Sequence, residues 1–323
     1  MNRPEVNLAR RIIEKHGLSP PIDVRRLVLQ HADLQVHPIP FAGVDGLCLN
    51  LKVPGKRPQV VINADNPTNR RRFTLAHELG HIVIPWHMGS FVDCLDSDVA
   101  HGSVEYWAAE EEANRFAAEL LMPSIWIENQ IGADLHLAIT HKSIAESCEV
   151  SAHAAAIRLS QFLPANITFA IESSGNIEVA GRTEGTLASP LAWGKPFSPS
   201  AYSYATKHLQ TNLASKTLHW WLLPDGEDLD ELSTRTWKEI LNSIVDTLDL
   251  TPAEQKKLKS SVSGVIAYAN GAVKHSGAHT VKGVMAACIQ KFHGRPEYAS
   301  VYEHPEFRGF LSAKARQLVE GDA

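Results

Sequence analysis

The segment Phe73-Thr74-Leu75-Ala76-His77-Glu78-Leu79-Gly80-His81 decides the fold of this chain and points to its chemistry. His77 and His81 are four positions apart, so on a helix both imidazoles lie on one side and can reach a single ion. Zinc hydrolases need a carboxylate that is close to the metal-bound water without being a ligand, and Glu78 meets this requirement. The pattern therefore favours metal binding over the plainer alternative, a structural histidine pair on a helix surface.

The helix around this segment is predicted to begin at Asn66-Pro67 and to end near Pro85. Asparagine is a good N-cap, and a proline at the first helical position loses no needed hydrogen bond. From Pro85 to Gly102 the chain is polar and predicted to be irregular. A second helix is predicted from Val104 to Met122, with a stop at Pro123.

The second helix offers a third metal ligand. Catalytic zinc takes three protein ligands and leaves one position for water, and only one of the consecutive Glu110, Glu111 and Glu112 can face the site squarely. Glu110 shares its helix face with Asn114 and with small alanines that allow close approach to the first helix, so it is the expected ligand. Asn114 is expected to hydrogen-bond a ligand imidazole. Glu111 and Glu112 are expected to be solvated, and His87 is expected to be a surface or core residue.

Together the two segments resemble the ImmA/IrrE family of metallopeptidases. The second segment reads Glu110-Glu111-Glu112-Ala113-Asn114-Arg115-Phe116-Ala117-Ala118-Glu119-Leu120-Leu121-Met122-Pro123. The likeness extends to Pro20-Pro21-Ile22-Asp23-Val24, to Val60-Val61-Ile62-Asn63 and to a helical hairpin at Val150-Ser151. It therefore covers about the first half of the chain.

The resemblance implies that His77, His81 and Glu110 are zinc ligands and that Glu78 is the general base. It also implies a substrate, because family members typically cut a helix-turn-helix transcriptional repressor encoded nearby. Such cleavage relieves repression after DNA damage or in mobile-element and phage-defence responses. The mixed nitrogen and oxygen ligands leave manganese or another divalent ion open in place of zinc. The expected activity is that of a zinc-dependent endopeptidase.

The expected fold class is α+β, with two domains. Residues 1–165 are expected to form a zincin-like metallopeptidase domain, in which a small β-sheet packs on the helices that carry the HExxH segment. The sheet is indicated by a β-hairpin signal from Leu47 to Val53 and from Gln59 to Ile62. The strand from Val60 to Asn63 is expected to pair with an extended substrate by strand addition.

Residues 166–323 are expected to form a second, mixed α/β domain with a sensory or regulatory role. A hairpin signal from Ile167 to Glu172 and from Ile177 to Arg182 opens it, and amphipathic helices follow. Single-stranded DNA or a small molecule is the candidate trigger. Scattered lysines near Trp220 and Trp221 suggest a nucleic-acid groove, although core tryptophans on a buried strand are the favoured explanation.

Composition and charge limit the other functions. A chain of 323 residues is too long for one core, so two domains are the natural expectation. No segment approaches the roughly 20 apolar residues of a membrane span, so no membrane partner is expected. The N-terminus, Met1-Asn2-Arg3-Pro4-Glu5-Val6, lacks the apolar stretch of a secretory signal, which predicts a cytoplasmic protein. The formal net charge of −5 gives no global attraction to DNA.

Two further interpretations stay open. Cys94, between the ligand helices, could occupy the fourth zinc position and inhibit the enzyme until a signal withdraws it, or it could be an incidental loop cysteine. Residues 142 to 162 could read DNA as a helix-turn-helix through Arg158, although an ordinary helical hairpin is favoured. The competing function is a zinc-stabilised DNA-binding regulator without hydrolytic activity. Glu78 favours the enzyme, because a structural site needs no base.

Overall fold

The computed structural model describes residues 3–41, 43–94, 104–132, 136–226, 235–275 and 279–321, and at residues 92–94 it describes the backbone alone. The chain divides into two compact units, Met1–Phe162 and Leu163–Ala323. The predicted boundary, between residues 165 and 166, lies three residues beyond this division. Among the helices of the described residues, none combines the length and the apolar composition that crossing a bilayer requires.

The first unit combines helices with a small sheet, which agrees with the expected α+β class. Its helices are α1 (Pro4–His16), α2 (Val24–His31), α3 (Thr68–Val83), α4 (Val104–Leu121), α5 (Ser124–Gln130), α6 (Leu137–Ser147) and α7 (Ala152–Ser160). Its strands are β1 (Asp33–His37), β2 (Val44–Leu51), β3 (Gln59–Asn63) and β4 (Gly89–Cys94). The HExxH segment lies on α3 and the acidic run lies on α4.

The strands of the first unit form one sheet in the order β1-β3-β2-β4. The predicted hairpin is β2 and β3, which are antiparallel. On its other side, β3 pairs with β1 in parallel along its whole length. The prediction that Val60 to Asn63 receives an extended substrate is therefore wrong, because both edges of β3 are already hydrogen-bonded. Among the described strands, β1 and β4 form the edges of this sheet.

Helices α3 and α4 pack closely because small residues meet between them. A Cβ on Gly80 of α3 would lie 3.1 Å from the ring of Phe116 and 3.3 Å from the Cα of Ala113, both on α4. Ala113, Phe116 and Ala117 are fully buried. A larger residue at position 80 would force the two backbones apart. The close approach that the alanines of α4 predict is therefore present, and it brings the ligand-bearing faces of the two helices together.

Two local predictions around α3 are wrong. Helix α3 begins at Thr68 with no side-chain cap, because the amide of Asn66 instead donates a hydrogen bond to Asp45 at 2.7 Å. The chain after Pro85 is not irregular throughout, because β4 forms there and pairs with β2. Strand formation in this polar stretch depends on the neighbouring strand more than on local composition.

The second unit also combines a sheet with helices. Its strands are β5 (Ile167–Ser173), β6 (Asn176–Arg182), β7 (Lys207–Leu213) and β8 (Lys216–Leu222), and they form an antiparallel sheet in the order β6-β5-β8-β7. Its helices are α8 (Trp237–Asp246), α9 (Pro252–His275), α10 (Val281–His293), α11 (Ala299–Tyr302) and α12 (Phe307–Glu320). The helices enclose an apolar core that includes Ile244, Ile266 and Phe310.

The paired tryptophans of β8 belong to the interior of the protein. Trp220 is 0% exposed and Trp221 is 2% exposed. A base in solution cannot stack on a ring that is buried to this degree, so neither tryptophan can form a nucleic-acid groove. The favoured explanation, core tryptophans on a buried strand, is the one that these exposures support.

Candidate metal centre

Helices α3 and α4 bring the three predicted metal ligands together. The Nε2 atoms of His77 and His81 are 3.0 Å apart. The carboxylate of Glu110 lies 3.1 Å from the first Nε2 and 3.4 Å from the second. All three side chains are buried, and their ligand atoms lie within 4.8 Å of one another. Within the described residues, no other group of three or more His, Cys, Asp or Glu side chains is arranged in this way.

The donor atoms of this group suit a divalent cation. The Nδ1 of His77 donates to the Oδ1 of Asn114 at 2.9 Å, and in the neutral ring this tautomer has its lone pair on the Nε2 that faces the site. Burial lowers the pKa of His81 to about 4 despite the nearby Glu110, so this imidazole is neutral at pH 7. Two imidazoles and one carboxylate match the donors of catalytic zinc sites. The residues present therefore fit a zinc ion.

Glu110 is ionised in this setting. Burial by itself would raise the pKa of Glu110, but the interactions with His77 and His81 outweigh burial and bring the pKa to about 2. A metal ligand must be deprotonated to bind. The Glu110 carboxylate is therefore able to bind a metal ion at neutral pH.

Glu78 follows His77 on α3 and does not belong to the group of three candidate ligands. Its side chain is 0% exposed, and a Cβ on Gly46 of β2 would lie 3.0 Å from its Oε1. A glycine inside a strand often marks such a close approach, and Gly46 leaves the space that Glu78 occupies. Burial and the nearby Glu78 raise the pKa of the Cys48 thiol. Cys48 is therefore a neutral thiol at pH 7, which is a poor zinc ligand.

The family of the first unit follows from a match to a family model. Residues 28–160 match a peptidase family described as the IrrE N-terminal-like domain. The ImmA/IrrE-family domain of this chain spans residues 28–160. A comparison with curated proteins finds no match. Among solved structures, a Mycobacterium tuberculosis transcriptional regulator is similar, with 15% identity and a TM-score of 0.38 over 68% of this chain and 79% of that chain. A likeness at this level says nothing about function.

In the ImmA/IrrE-family domain His87 contacts the metal centre and Glu112 contacts His87, and the sequence pattern predicts neither contact. His87 is 1% exposed, and its Nδ1 lies 2.9 Å from the Nδ1 of His81. Glu112 accepts hydrogen bonds from the Nε2 of His87 at 3.0 Å and from the Nε1 of Trp86 at 2.6 Å. The expectation that Glu112 is solvated is wrong, because the segment after α3 meets α4 at this residue. His87 lies beyond the end of α3, so no helical spacing pairs it with Glu112.

The neighbouring glutamate behaves as expected. Glu111 is exposed, and its carboxylate lies 3.2 Å from the guanidinium of Arg115, one helical turn further on. Of the three consecutive glutamates, Glu110 faces the other ligands, Glu112 contacts His87 and Glu111 points into solvent. The adjacent Glu111 is therefore a natural control for substitutions of Glu112.

Aromatic rings of the ImmA/IrrE-family domain border the site on the side of β4. Phe91 stacks on His81 with ring centroids 4.1 Å apart, and Tyr106 of α4 stacks on Phe91 at 5.6 Å. On another side, the amine of Lys52 donates to the backbone carbonyl of His81 at 2.7 Å. Burial lowers the pKa of Lys52 to about 8. The end of α3 is therefore held by Phe91 of β4 and by Lys52, the residue that follows β2.

The inhibitory role of Cys94 stays a prediction. Its side chain lies outside the part of the protein that the structure describes, and its backbone pairs with Val44 at the end of β4. The other three cysteines, Cys48, Cys148 and Cys288, are buried free thiols.

The helices α6 and α7 form the hairpin that the sequence favours. His141 of α6 lies 2.7 Å through its Nε2 from the backbone carbonyl of Ala152 in α7. Arg158 of α7, the one candidate for reading bases, donates instead to the buried carboxylate of Glu119 and to the hydroxyl of Ser124. Its side chain is 11% exposed. These contacts count against a DNA-reading role for this hairpin.

Proposed function

We propose that the protein is a cytoplasmic zinc-dependent endopeptidase that cleaves a helix-turn-helix transcriptional repressor, and so relieves repression in a stress, DNA-damage or phage-defence response. The observation that carries the proposal is the convergence of His77, His81 and Glu110 beside the buried Glu78. These residues match the ligands and general base of a zincin-like hydrolase. The resemblance to the ImmA/IrrE family supports a repressor as substrate, because its members typically cut such proteins.

Three side chains would hold the ion. They are His77 and His81 through Nε2 and Glu110 through its carboxylate, and three protein ligands leave a position for water. When bound, zinc supplies a Lewis acid that polarises the scissile carbonyl and lowers the pKa of water from about 15.7 toward about 7. The proton transfers then fall to the side chains of the protein.

Glu78 is the group that moves the proton. Its carboxylate accepts a proton from the attacking water as the new carbon–oxygen bond forms, and it returns that proton to the amine nitrogen as the carbon–nitrogen bond breaks. Glu78 is fully buried, so the proton passes between the reacting groups rather than to bulk solvent. Gly46 contributes by leaving space for this carboxylate.

An extended peptide can reach this site along β4. Among the described strands β4 pairs with β2 alone, so strand addition can use its outer edge. Phe91 of β4 stacks on His81, and an added strand would therefore run past the metal ligands. Trp86, Met88 and Trp107 are 50%, 67% and 38% exposed. Trp86 and Met88 lie just before β4, and Trp107 lies on α4, the helix whose Tyr106 contacts Phe91. Together these three side chains suit a substrate with apolar residues near the cut.

The second unit is assigned the regulatory role in this proposal. A small molecule is a better candidate for its trigger than single-stranded DNA, because Trp220 and Trp221 are buried. Two cavities of about 220 and about 270 Å³ in this unit share Tyr204, His293 and Tyr302 as walls. Their aromatic and polar lining is typical of small-molecule sites.

The proposal is tested by incubating the full-length, zinc-loaded protein with candidate helix-turn-helix repressors and measuring the intact mass of the products. We expect a discrete cut by the parent protein, none after a chelator is added, and none by Glu78→Gln. Glu111→Gln is the control, and it should cut at the parental rate because Glu111 is exposed. Cleavage by Glu78→Gln at the parental rate would reject Glu78 as the base. Zinc-loaded protein that cuts no repressor would reject the substrate class.

A further inference from the structure

We propose that His87 and Glu112 are positioning residues, which hold His81 in the tautomer that turns an Nε2 lone pair toward the metal. This inference deepens the proposed function and rests on it. The two residues come from different parts of the chain, the segment after α3 and the middle of α4. They meet behind His81, on the side away from the other ligands.

The contacts form an unbroken chain of hydrogen bonds. The Nδ1 of His81 lies 2.9 Å from the Nδ1 of His87. The Nε2 of His87 lies 3.0 Å from the Oε2 of Glu112, and the indole nitrogen of Trp86 donates to the same oxygen at 2.6 Å. His81 and His87 are 0% and 1% exposed, so water does not compete for these contacts. Buried hydrogen bonds of this kind fix the orientation of the rings that they join.

The donors and acceptors of this chain have one consistent order. Carboxylate oxygens accept hydrogen bonds, so the Oε2 of Glu112 takes an N–H from Trp86 and another from His87. A neutral His87 with its proton on Nε2 has its lone pair on Nδ1, where it accepts the N–H of His81. A neutral His81 then has its lone pair on Nε2, the atom that would bind the ion and that lies 3.4 Å from Glu110. The reverse order needs a proton on Glu112, although its Oε2 already accepts the indole N–H.

The chain also strengthens His81 as a donor. A carboxylate at the end of an N–H···N chain draws the Nδ1 proton away from the ring and raises the electron density at Nε2. The partner ligand, His77, is held by a neutral acceptor instead, the amide oxygen of Asn114 at 2.9 Å. We therefore expect zinc binding by His81 to depend strongly on the His87–Glu112 pair. Zinc binding by His77 should depend less on Asn114.

His87 is not itself a ligand. Its Nδ1 contacts the Nδ1 of His81, which lies across the ring from Nε2, and it is outside the group formed by His77, His81 and Glu110. Phe91 lies against both rings, with centroid distances of 4.1 Å to His81 and 5.5 Å to His87. The ring of His87 is therefore held where it can hydrogen-bond His81 but does not join the candidate ligands.

The first measurement is the zinc dissociation constant of the full-length protein, obtained by competition with a chromophoric chelator. His87→Leu and Glu112→Ala break the chain, and we expect zinc to bind about 10–100-fold more weakly in both. His87→Gln has an oxygen that can accept from His81 and an amide that can donate to Glu112, so its affinity should stay close to the parental value. Glu111→Ala, at the adjacent exposed position, should leave the affinity unchanged.

The second measurement needs neither metal nor activity. Long-range proton–nitrogen NMR of the histidine rings in the metal-free protein reads the tautomer of His81. We expect the proton on Nδ1 in the parent and in His87→Gln, and a mixture of tautomers in His87→Leu. Thermal unfolding of the metal-free variants identifies any loss of fold. Glu112→Ala alters a partly exposed side chain, so it provides the same test if His87→Leu does not fold.

Parental zinc affinity in both His87→Leu and Glu112→Ala, with the His81 proton still on Nδ1, would overturn the inference. Weak binding in His87→Gln equal to that in His87→Leu would also overturn it, because size rather than hydrogen bonding would then be the cause. A parent protein that binds no zinc would reject the proposed function instead. In that case the tautomer of His81 in the metal-free variants would still decide the role of His87.

Discussion

Gly46→Ala is expected to impair the metal centre from the sheet side without changing a ligand. A Cβ at this position would lie 2.6 Å from the Cγ2 of Thr74, 3.0 Å from the Oε1 of Glu78 and 3.3 Å from the Cδ1 of Ile62. Strand β2 is hydrogen-bonded to β3 on one side and to β4 on the other. The strand therefore cannot retreat without breaking the sheet, and α3 or its side chains must move.

The size of the effect follows from these distances. Non-bonded carbon atoms rest about 3.5–4.0 Å apart, so the new methyl group would be roughly 1 Å too close to Thr74. Overpacking of this kind costs about 1–3 kcal/mol, and each kcal/mol lowers the Tm of a domain of this size by roughly 2–4 °C. A displacement of about 1 Å at a catalytic group costs on the order of 100-fold in rate. We expect kcat/KM for repressor cleavage to fall by this order.

A second substitution separates stability from activity. Thr74→Ser removes the Cγ2 atom, so Gly46→Ala combined with Thr74→Ser should recover most of the lost Tm. The 3.0 Å contact with Glu78 persists in the double variant, so cleavage should stay impaired. Thermal unfolding with a chelator present and cleavage by the zinc-loaded protein measure the two effects, with Thr74→Ser alone as the control. Full activity in Gly46→Ala would refute the reasoning, as would recovery of both properties in the double variant.

Three other predictions concern pH, a buried ion pair and the loop cysteine. Burial lowers the pKa of His141 from 6.5 to about 4, so the unfolded chain takes up the proton first as the pH falls. The stability present above pH 6.5 should then drop by up to about 3 kcal/mol toward pH 4. His141→Gln should lose this part of the slope in denaturant titrations, and an unchanged slope would contradict the prediction. Glu119→Gln should destabilise the first unit by about 3–5 kcal/mol in chemical denaturation, because it leaves the buried Arg158 without its carboxylate; a loss near zero would count against it. Cys94→Ser should raise basal proteolysis if this thiol blocks the zinc, and equal initial rates would argue against such a block.

The helical half of the metal centre can be predicted from the sequence because its information is local. The spacing of His77 and His81, and the face that Glu110 shares with Asn114, follow from the period of the helix. The alanines of α4 likewise predict the close approach that Gly80 permits. Predicting that these groups meet therefore requires no information about distant segments of the chain.

The rest of the site depends on contacts between segments that are far apart in the chain. Strand β4 is short and polar at its ends, and its pairing with β2 is decided by the neighbour rather than by its own composition. His87 and Glu112 meet only because the segment after α3 packs on α4. Asn66 looks like a helix cap, but a partner from β2, Asp45, takes its amide. In each case a tertiary contact outweighs the local preference.

The zinc X-ray absorption spectrum of the loaded full-length protein tests the central claim most directly. We predict one zinc per chain, with two imidazole nitrogens at about 2.0–2.1 Å and oxygen ligands at about 2.0–2.2 Å. The imidazole contribution should fall when His81 is replaced by alanine. A spectrum with fewer than two imidazole ligands in the parent protein, or one that His81→Ala leaves unchanged, would contradict the claim.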